Sequence, residues 1–209
     1  MPNAPDDQVA MTIGVMRANV AADAQDPLFK VRAQQILGNG SEQDRVERAW
    51  SHAKSGIRFQ QDKETAHGVQ GLDLGDNDVV EVIVRPLDMA GLVDRGVAEG
   101  DCDDFSSYVA ALLEAGGVES AFCTVAANAN DPAQYSHVYL VAYPRGMDGQ
   151  PVRVPVDASH GGYCGWEVEN TYNKRREWPV RGRGLVGDIV VSTVAWWVAR
   201  WVWERVRVN

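Results

Sequence analysis

The sequence predicts an α+β domain in which helices come first and antiparallel strands follow. Apolar residues recur at helical spacing in three stretches, 8–37, 42–55 and 103–115. Three strand candidates come after them, 118–126, 135–143 and 151–158. The last two alternate strictly between the two faces of a strand. Because helices and strands are grouped along the chain rather than alternating, the pattern favours α+β over a parallel α/β sheet.

Local signals set the ends of the first helices. The stretch 8–37 reads as one or two helices, interrupted near Asp26-Pro27 and ended by Gly38-Asn39-Gly40. Ser41 and Asp44 form a capping-box-like start for the helix 42–55, with Asp in the position that Glu usually holds. Residues 60–78 are polar and rich in Gly and Asp, so we expect a loop there. The apolar run Val79–Val84, which precedes Pro86, predicts an extended segment.

A cysteine stands at the start of the third helical stretch. Cys102 lies in the run Gly100-Asp-Cys-Asp-Asp104, directly before the apolar stripe of 103–115. Unpaired N–H groups and the helix dipole at such a position favour an anion, which lowers the pKa of a thiol. The flanking aspartates oppose this effect because like charge disfavours the thiolate. A cationic partner is therefore required if Cys102 is a nucleophile.

The last two strands supply a candidate partner. The segment 144–150 between them reads as a hairpin loop, and His137 and Asp157 each lie ten residues from Met147. A hairpin symmetric about Met147 makes His137 and Asp157 cross-strand neighbours. A carboxylate beside an imidazole fixes its tautomer and stabilises the imidazolium, as a Cys–His nucleophile needs. Each residue also has an ordinary interpretation: a buried thiol, a core histidine, a turn aspartate.

Composition restricts the class of protein. The chain has 209 residues, 45% of them hydrophobic, and a net charge of −9, which excludes disordered, collagen-like and coiled-coil chains. Three cysteines without a C-x-x-C pair favour neither a disulfide scaffold nor structural zinc, and Cys123 and Cys164 are expected to be buried bystanders. The N-terminus lacks the features of a signal peptide, so we expect a cytoplasmic location.

The C-terminal part differs from the body. Residues 1–141 hold ten basic and 22 acidic residues, whereas residues 142–209 hold ten and seven. The cluster 174–183 is basic, and we interpret it as a solvated linker rather than a nucleic-acid site. The mostly apolar stretch 184–203 contains four of the seven tryptophans. Because Asp188 and Arg200 interrupt it, we favour a packing or oligomerisation arm over membrane insertion.

Three motif blocks resemble those of the transglutaminase-like superfamily, especially its stand-alone bacterial and tailed-phage members. The blocks are Gly100-Asp-Cys-Asp-Asp-Phe, Tyr135-Ser-His-Val-Tyr and Val154-Pro-Val-Asp157-Ala, and the resemblance covers roughly residues 25–167. It implies a papain-like core in which the nucleophile begins a helix packed on an antiparallel sheet. It also implies that Cys102 is the nucleophile, His137 the general base and acid, and Asp157 the residue that orients His137.

The resemblance and the composition together give the functional hypothesis. We expect a thiol enzyme that cleaves an amide or peptide bond of a protein or peptide, or transfers across it, through an acyl-enzyme and without a cofactor or metal. The alternative is a non-catalytic structural or assembly protein, such as a phage particle component, docked through residues 184–209. The predicted organisation is a helical extension 1–24, a catalytic domain 25–173 and an arm 174–209.

Further residues complete the predicted site. The expected cleft residues are Asp101, Asp103, Tyr135, Tyr163 and Trp166. The backbone N–H of Cys102 is one expected oxyanion donor, with Gln70 and Asn77 as candidates for the second. Six aspartates, at 73, 76, 78, 101, 103 and 104, lack the spacing of a calcium loop, so we interpret them as a solvated acidic rim that favours cationic substrates. His160 is expected to be a turn residue.

Overall fold

The computed structural model describes residues 5–61 and 83–181. These residues form five helices and six strands, namely α1 (Pro5–Asp23), α2 (Pro27–Leu37), α3 (Glu42–Gly56), β1 (Ile57–Phe59), α4 (Pro86–Asp94), β2 (Ala98–Gly100), α5 (Cys102–Ala115), β3 (Ser120–Val125), β4 (His137–Ala142), β5 (Val154–Val156) and β6 (Arg175–Pro179). The architecture is α+β, as predicted, and is consistent with a papain-like or transglutaminase-like core.

Side-chain caps start the early helices at the predicted positions. The carboxylate of Asp26 accepts hydrogen bonds from the backbone N–H groups of Leu28 and Phe29, at 2.8 and 3.1 Å, while Pro27 occupies the first turn of α2. The chain therefore breaks between α1 and α2 where the sequence predicted. Ser41 and Asp44 form the predicted reciprocal capping box of α3.

Helix α5 is the centre of the molecule. Its residues from Asp103 to Leu113 are all buried, and α1, α2, α3 and α4 pack around it. One face of the sheet, including Phe122, Leu140 and Val156, completes this main core. Burial on every side explains why the helix carries small and apolar residues around its whole circumference rather than on one stripe.

The main sheet is antiparallel, with the strand order β5-β4-β3-β6. Its second face carries a smaller apolar cluster, which consists of Cys123, Val125, Tyr139 and Val141. The hydroxyl of Tyr139 donates a hydrogen bond to Glu167 at 2.7 Å, and Glu167 also pairs with Arg153. The hydrogen bonds among Tyr139, Glu167 and Arg153 therefore cover the small apolar cluster on the second face of the sheet.

Three short elements were not predicted. Strands β1 and β2 pair in parallel, with Phe59 opposite Gly100, and the backbone N–H of Gln60 donates to the carbonyl of Gly100. Helix α4 begins at Pro86, which the sequence interpretation had placed at the end of an extended segment. The predicted extended segment Val79–Val84 lies mostly outside the described residues; the backbone N–H of Val84 donates to the carboxylate of Asp104 at 2.8 Å.

The interpretation of 174–183 as a solvated linker is wrong for its first half. Residues Arg175–Pro179 form β6, which pairs along β3 from Val125 to Ala121. The guanidinium of Arg176 stacks on the ring of Trp178, 3.7 Å from its centre, so the basic residues of this cluster belong to an edge strand. Strand β6 was not predicted because its segment is rich in charged residues, whereas its structure depends on backbone pairing with β3.

The predicted domain boundaries at 24/25 and 173/174 stay predictions, although elements beyond both contribute to one core. Ile13, Met16 and Val20 of α1 are buried in the main core. Nε of Arg17 donates to the carbonyl of Val180, just after β6. The tail 184–209, with its Trp-rich stretch, lies outside the described residues. Within the described ranges, no helix is both long and apolar enough to cross a bilayer.

Candidate functional site

His137 and Asp157 form a buried hydrogen-bonded pair. Nε2 of His137 donates to Oδ2 of Asp157 at 2.7 Å, and the exposed fractions of the two side chains are 8% and 0%. His137 begins β4, and Asp157 follows the last residue of β5. The sequence predicted that these side chains meet, and they do.

The predicted strand register is wrong by two residues. Leu140 pairs with Val156 and Ala142 with Val154, so the hairpin is centred on Asp148 rather than Met147. An isolated bridge between Arg145 and Pro151 has the same centre. Because side chains alternate with a period of two, a shift of two keeps Asp157 on the face of His137. The pair therefore forms along a diagonal rather than directly across the strands.

The second oxygen of Asp157 is held by its own loop. Oδ1 accepts hydrogen bonds from the hydroxyl of Ser159 and from the backbone N–H of His160, both at 2.9 Å. The indole N–H of Trp50, on α3, donates to the backbone carbonyl of Asp157 at 3.0 Å. A Cβ at Gly161 would lie 2.4 Å from that carbonyl oxygen, so only glycine fits there. Oδ2 is thereby directed at His137.

The pKa of Asp157 is lowered below its usual value. Burial alone would raise it, but the hydrogen bond and the charge of His137 and the two loop hydrogen bonds outweigh burial. The carboxylate is therefore ionised at neutral pH. An ionised Asp157 accepts hydrogen bonds only, which fixes the proton of His137 on Nε2 and turns Nδ1 away from the carboxylate.

Cys102 is the first residue of α5. Asp101 caps the helix, and Asp104 accepts a hydrogen bond from the backbone N–H of Asp101 at 3.3 Å, which completes a second capping box. A Cβ at Gly100 would lie 2.5 Å from a carboxylate oxygen of Asp104. The glycine and the acidic residues of this motif thus have a structural purpose: they begin the helix at the cysteine.

Ser106 connects the start of α5 to the strand of His137. Its hydroxyl lies 2.6 Å from the carbonyl oxygen of Cys102 and 3.3 Å from that of Val138. One buried hydroxyl therefore adjoins the backbone of the cysteine and the backbone of the residue next to His137. The Cys102 side chain is half-buried at the margin of the main core.

The other two thiols lie in different surroundings. Cys123 is completely buried, and burial raises the pKa of its thiol despite a contact with the Tyr139 hydroxyl. Burial also raises the pKa of Cys164, to about 11. Both groups are protonated at neutral pH, as expected for cysteines without a chemical role.

A cavity of about 310 Å³ opens beside His137. Its lining residues are Ala127, Asn128, Ser136, His137, His160, Trp166 and Val168. Of the five predicted cleft residues, Trp166 is in this lining. Tyr163 is 63% exposed, and Tyr135 lies under the ammonium group of Lys174, 4.4 Å from the ring centre.

The prediction of a solvated acidic rim is wrong for Asp103 and Asp104, which are buried. Asp103 and Asp104 are 3% and 2% exposed, and Asp101 is half-buried as the helix cap. The carboxylates of Asp101 and Asp104 form the capping box at the start of α5. The remaining rim aspartates, at 73, 76 and 78, lie outside the described residues, as do the oxyanion candidates Gln70 and Asn77.

His160 lies in a turn, as predicted, but it also borders the site, which the sequence interpretation missed. Its ring lies edge-on to that of His137, with 4.7 Å between ring centres, and Phe59 flanks its other side at 4.9 Å. The ring nitrogens and carboxylate oxygens through which His137, Asp157 and His160 could bind a metal ion lie within 4.8 Å of one another. The same holds for carboxylate oxygens of Asp101, Asp103 and Asp104. The spacing Asp157-x-x-His160 was the available signal, since a tight turn returns the histidine to the carboxylate.

Comparisons with known proteins find distant structural similarities. No protein-family model matches the chain. No curated protein matches it either. A structure from Parabacteroides distasonis named as a "putative protease" has a TM-score of 0.41 and 16% identity, over 76% of this chain and 31% of that one.

A second similar structure is Rad4–Rad23 bound to a 6-4 photoproduct UV lesion, with a TM-score of 0.41 and 10% identity. The match covers 84% of this chain and 44% of that one. The chain thus spans less than half the length of either structure. At these scores neither likeness bears on what the chain does.

Proposed function

We propose that the chain is a transglutaminase-like thiol enzyme that acts on an amide or peptide bond through Cys102, His137 and Asp157. The observation that carries the proposal is the 2.7 Å hydrogen bond from Nε2 of His137 to a buried carboxylate. That bond leaves Nδ1 of His137 to exchange a proton with a thiol. Ser106 supports the assignment of the thiol, because its hydroxyl adjoins the backbones of Cys102 and Val138.

The proposed reaction begins with proton transfer from the Cys102 thiol to Nδ1 of His137. The helix dipole of α5 favours the thiolate, and Asp157 favours the imidazolium. The thiolate attacks the substrate carbonyl carbon, and a C–S bond forms as the carbonyl oxygen gains charge. The backbone N–H of Cys102, at the start of α5, is the proposed donor to that oxygen.

Collapse of this intermediate breaks the C–N bond. The leaving amine takes its proton from Nδ1 of His137, and a thioester to Cys102 remains. A second nucleophile then attacks the thioester, loses a proton to Nδ1 of His137 and releases Cys102. Water as that nucleophile gives hydrolysis, and an amine gives transfer; hydrolysis of a protein or peptide is the proposed reaction.

Selective alkylation tests this proposal. Iodoacetamide at pH 7 should modify Cys102 at least tenfold faster than Cys123 or Cys164, as read by peptide mass spectrometry against time. The two slower thiols are internal controls for access and intrinsic reactivity. His137→Ala should remove most of the advantage of Cys102 while leaving the other two rates unchanged.

Equal, slow labelling of all three cysteines, or a Cys102 rate that is indifferent to His137→Ala, would overturn the proposal in favour of the structural alternative. Deletion of 184–209 separates the two further. The enzyme hypothesis expects the shortened chain to keep the fast Cys102 reaction. The assembly hypothesis expects that deletion to abolish self-association in sedimentation.

A further inference from the structure

The cavity beside His137 is bordered by a second imidazole for which the proposed reaction has no use. His160 lines the cavity and holds its ring between Phe59 and His137. Apart from the two histidines, the lining side chains are uncharged. A group placed in the cavity would therefore meet two imidazoles within walls that offer no formal countercharge.

The hydrogen bonds determine which nitrogen of His160 carries its proton. Ser159 has one hydroxyl proton, and it goes to Oδ1 of Asp157, which as a carboxylate oxygen can only accept. The same Ser159 oxygen lies 2.9 Å from Nδ1 of His160, so Nδ1 must be the donor in that contact. Neutral His160 is therefore protonated on Nδ1, and its Nε2 presents a lone pair.

The surroundings keep His160 neutral. Partial burial lowers the pKa of its imidazole below the usual value, and the positive charges of His137 and Lys54 lower it further, against the opposing effect of Asp157 and Asp101. One carboxylate thus orients two imidazoles, His137 directly and His160 through Ser159. Both have an unprotonated nitrogen available once His137 has given up a proton, and both rings border the same cavity.

We propose that Nε2 of His160 accepts a hydrogen bond from the amine that leaves, or the nucleophile that enters, at the acyl-enzyme. This inference rests on the proposed function. A water molecule or a neutral primary amine has two protons: one passes to Nδ1 of His137 as the new C–O or C–N bond forms, and the other is held by His160. The C–S bond then breaks and releases Cys102. The cavity is then the subsite of the leaving and accepting group, whose class is a neutral amine attached to an uncharged, partly apolar residue.

Two substitutions separate hydrogen bonding from packing. His160→Phe keeps a ring between Phe59 and His137 but lacks the lone pair, whereas His160→Gln keeps an acceptor near the position of Nε2. The probes are p-nitrophenyl acetate, whose burst reports acylation of Cys102 and whose steady state reports deacylation, and glycinamide as a competing amine. We expect His160→Phe to slow deacylation, by water and by glycinamide, about tenfold more than acylation. His160→Gln should recover most of that loss.

The outcomes are distinct. Suppose that the wild-type chain shows a burst. If His160→Phe then slows acylation and deacylation equally, or slows neither, this inference is overturned and the proposed function stands. Absence of a burst from the wild-type chain overturns the proposed function and this inference with it. Nitrogen-15 spectra of the His160 ring at pH 7 give an independent reading: protonation on Nδ1 supports the inference, and protonation on Nε2 overturns it.

Discussion

Asp157 accepts a hydrogen bond from Nε2 of His137 at 2.7 Å, although the sheet register places it opposite Tyr139 when the β4–β5 pairing is continued by one residue. The contact therefore depends on the turn that follows β5 as much as on the strands. The hydroxyl of Ser159 and the backbone N–H of His160 hold its carboxylate, and Gly161 packs against its backbone carbonyl.

Asp157→Asn should lower the alkylation rate of Cys102 about 100-fold at pH 7. The amide has nearly the size of the carboxylate but does not stabilise the imidazolium of His137. Asp23→Asn is the matched control, because Asp23 is also a buried carboxylate with an arginine and a backbone partner, in α1. A similar loss of Cys102 reactivity in both variants would mean that general destabilisation, rather than His137, is responsible.

Gly100→Ala should destabilise the fold by about 1–3 kcal/mol, measured by denaturant unfolding. The new methyl group would meet the Asp104 carboxylate at 2.5 Å and its Cβ at 2.7 Å, so the cap of α5 must shift. Gly14→Ala is the control within α1, where nothing lies within 4 Å of the added Cβ. That change should be neutral or stabilising by about 0.5–1 kcal/mol. Equal stability of the two variants would contradict the close approach.

The free energy of unfolding should fall as the pH decreases below about 6.5. Burial lowers the pKa of His52, assisted by the charge of Arg32, and the pKa of His160 is lowered as described above. The folded chain therefore binds fewer protons than the unfolded chain just below the usual value of 6.5, and stability is complete above it. The measurement is guanidinium unfolding at pH 5.5 and 7.5. His52→Gln/His160→Gln should reduce the difference, and an undiminished difference would assign it to other groups.

Met16→Ala should cost about 2–5 kcal/mol, because Met16 is fully buried where α1 packs in the main core. Met11→Ala, in the same helix, should cost less than about 0.5 kcal/mol, since Met11 is 57% exposed. Thermal or denaturant unfolding compares the two. If both changes are equally mild, α1 is the dispensable extension that the predicted boundary at residue 24 implies.

Capping and periodicity made the helices and the site pair predictable. Asp26-Pro27, Ser41–Asp44 and Asp101–Asp104 each determine a helix start within a few residues. The hairpin prediction survived an error of two residues because an even shift preserves the face of a strand. An error of one would have separated His137 from Asp157.

The missed elements depend on distant partners. The segment of β6 has the composition of a charged linker, and it forms a strand because it pairs with β3. Strand β1 likewise depends on pairing with β2, in which Phe59 lies opposite Gly100. His160 acquires its significance from Ser159 and Asp157, whose hydrogen bonds decide a tautomer that residue identity alone leaves open. Local signals do not contain this information.

The strand order places Asp157 and β6 at opposite edges of the main sheet. Asp157 follows β5 at one edge of the sheet, and β6 lies at the other edge, three strand spacings or about 14 Å away. Strands β4 and β3 lie between them, so a substitution in β6 would have to act on Asp157 through both of those strands.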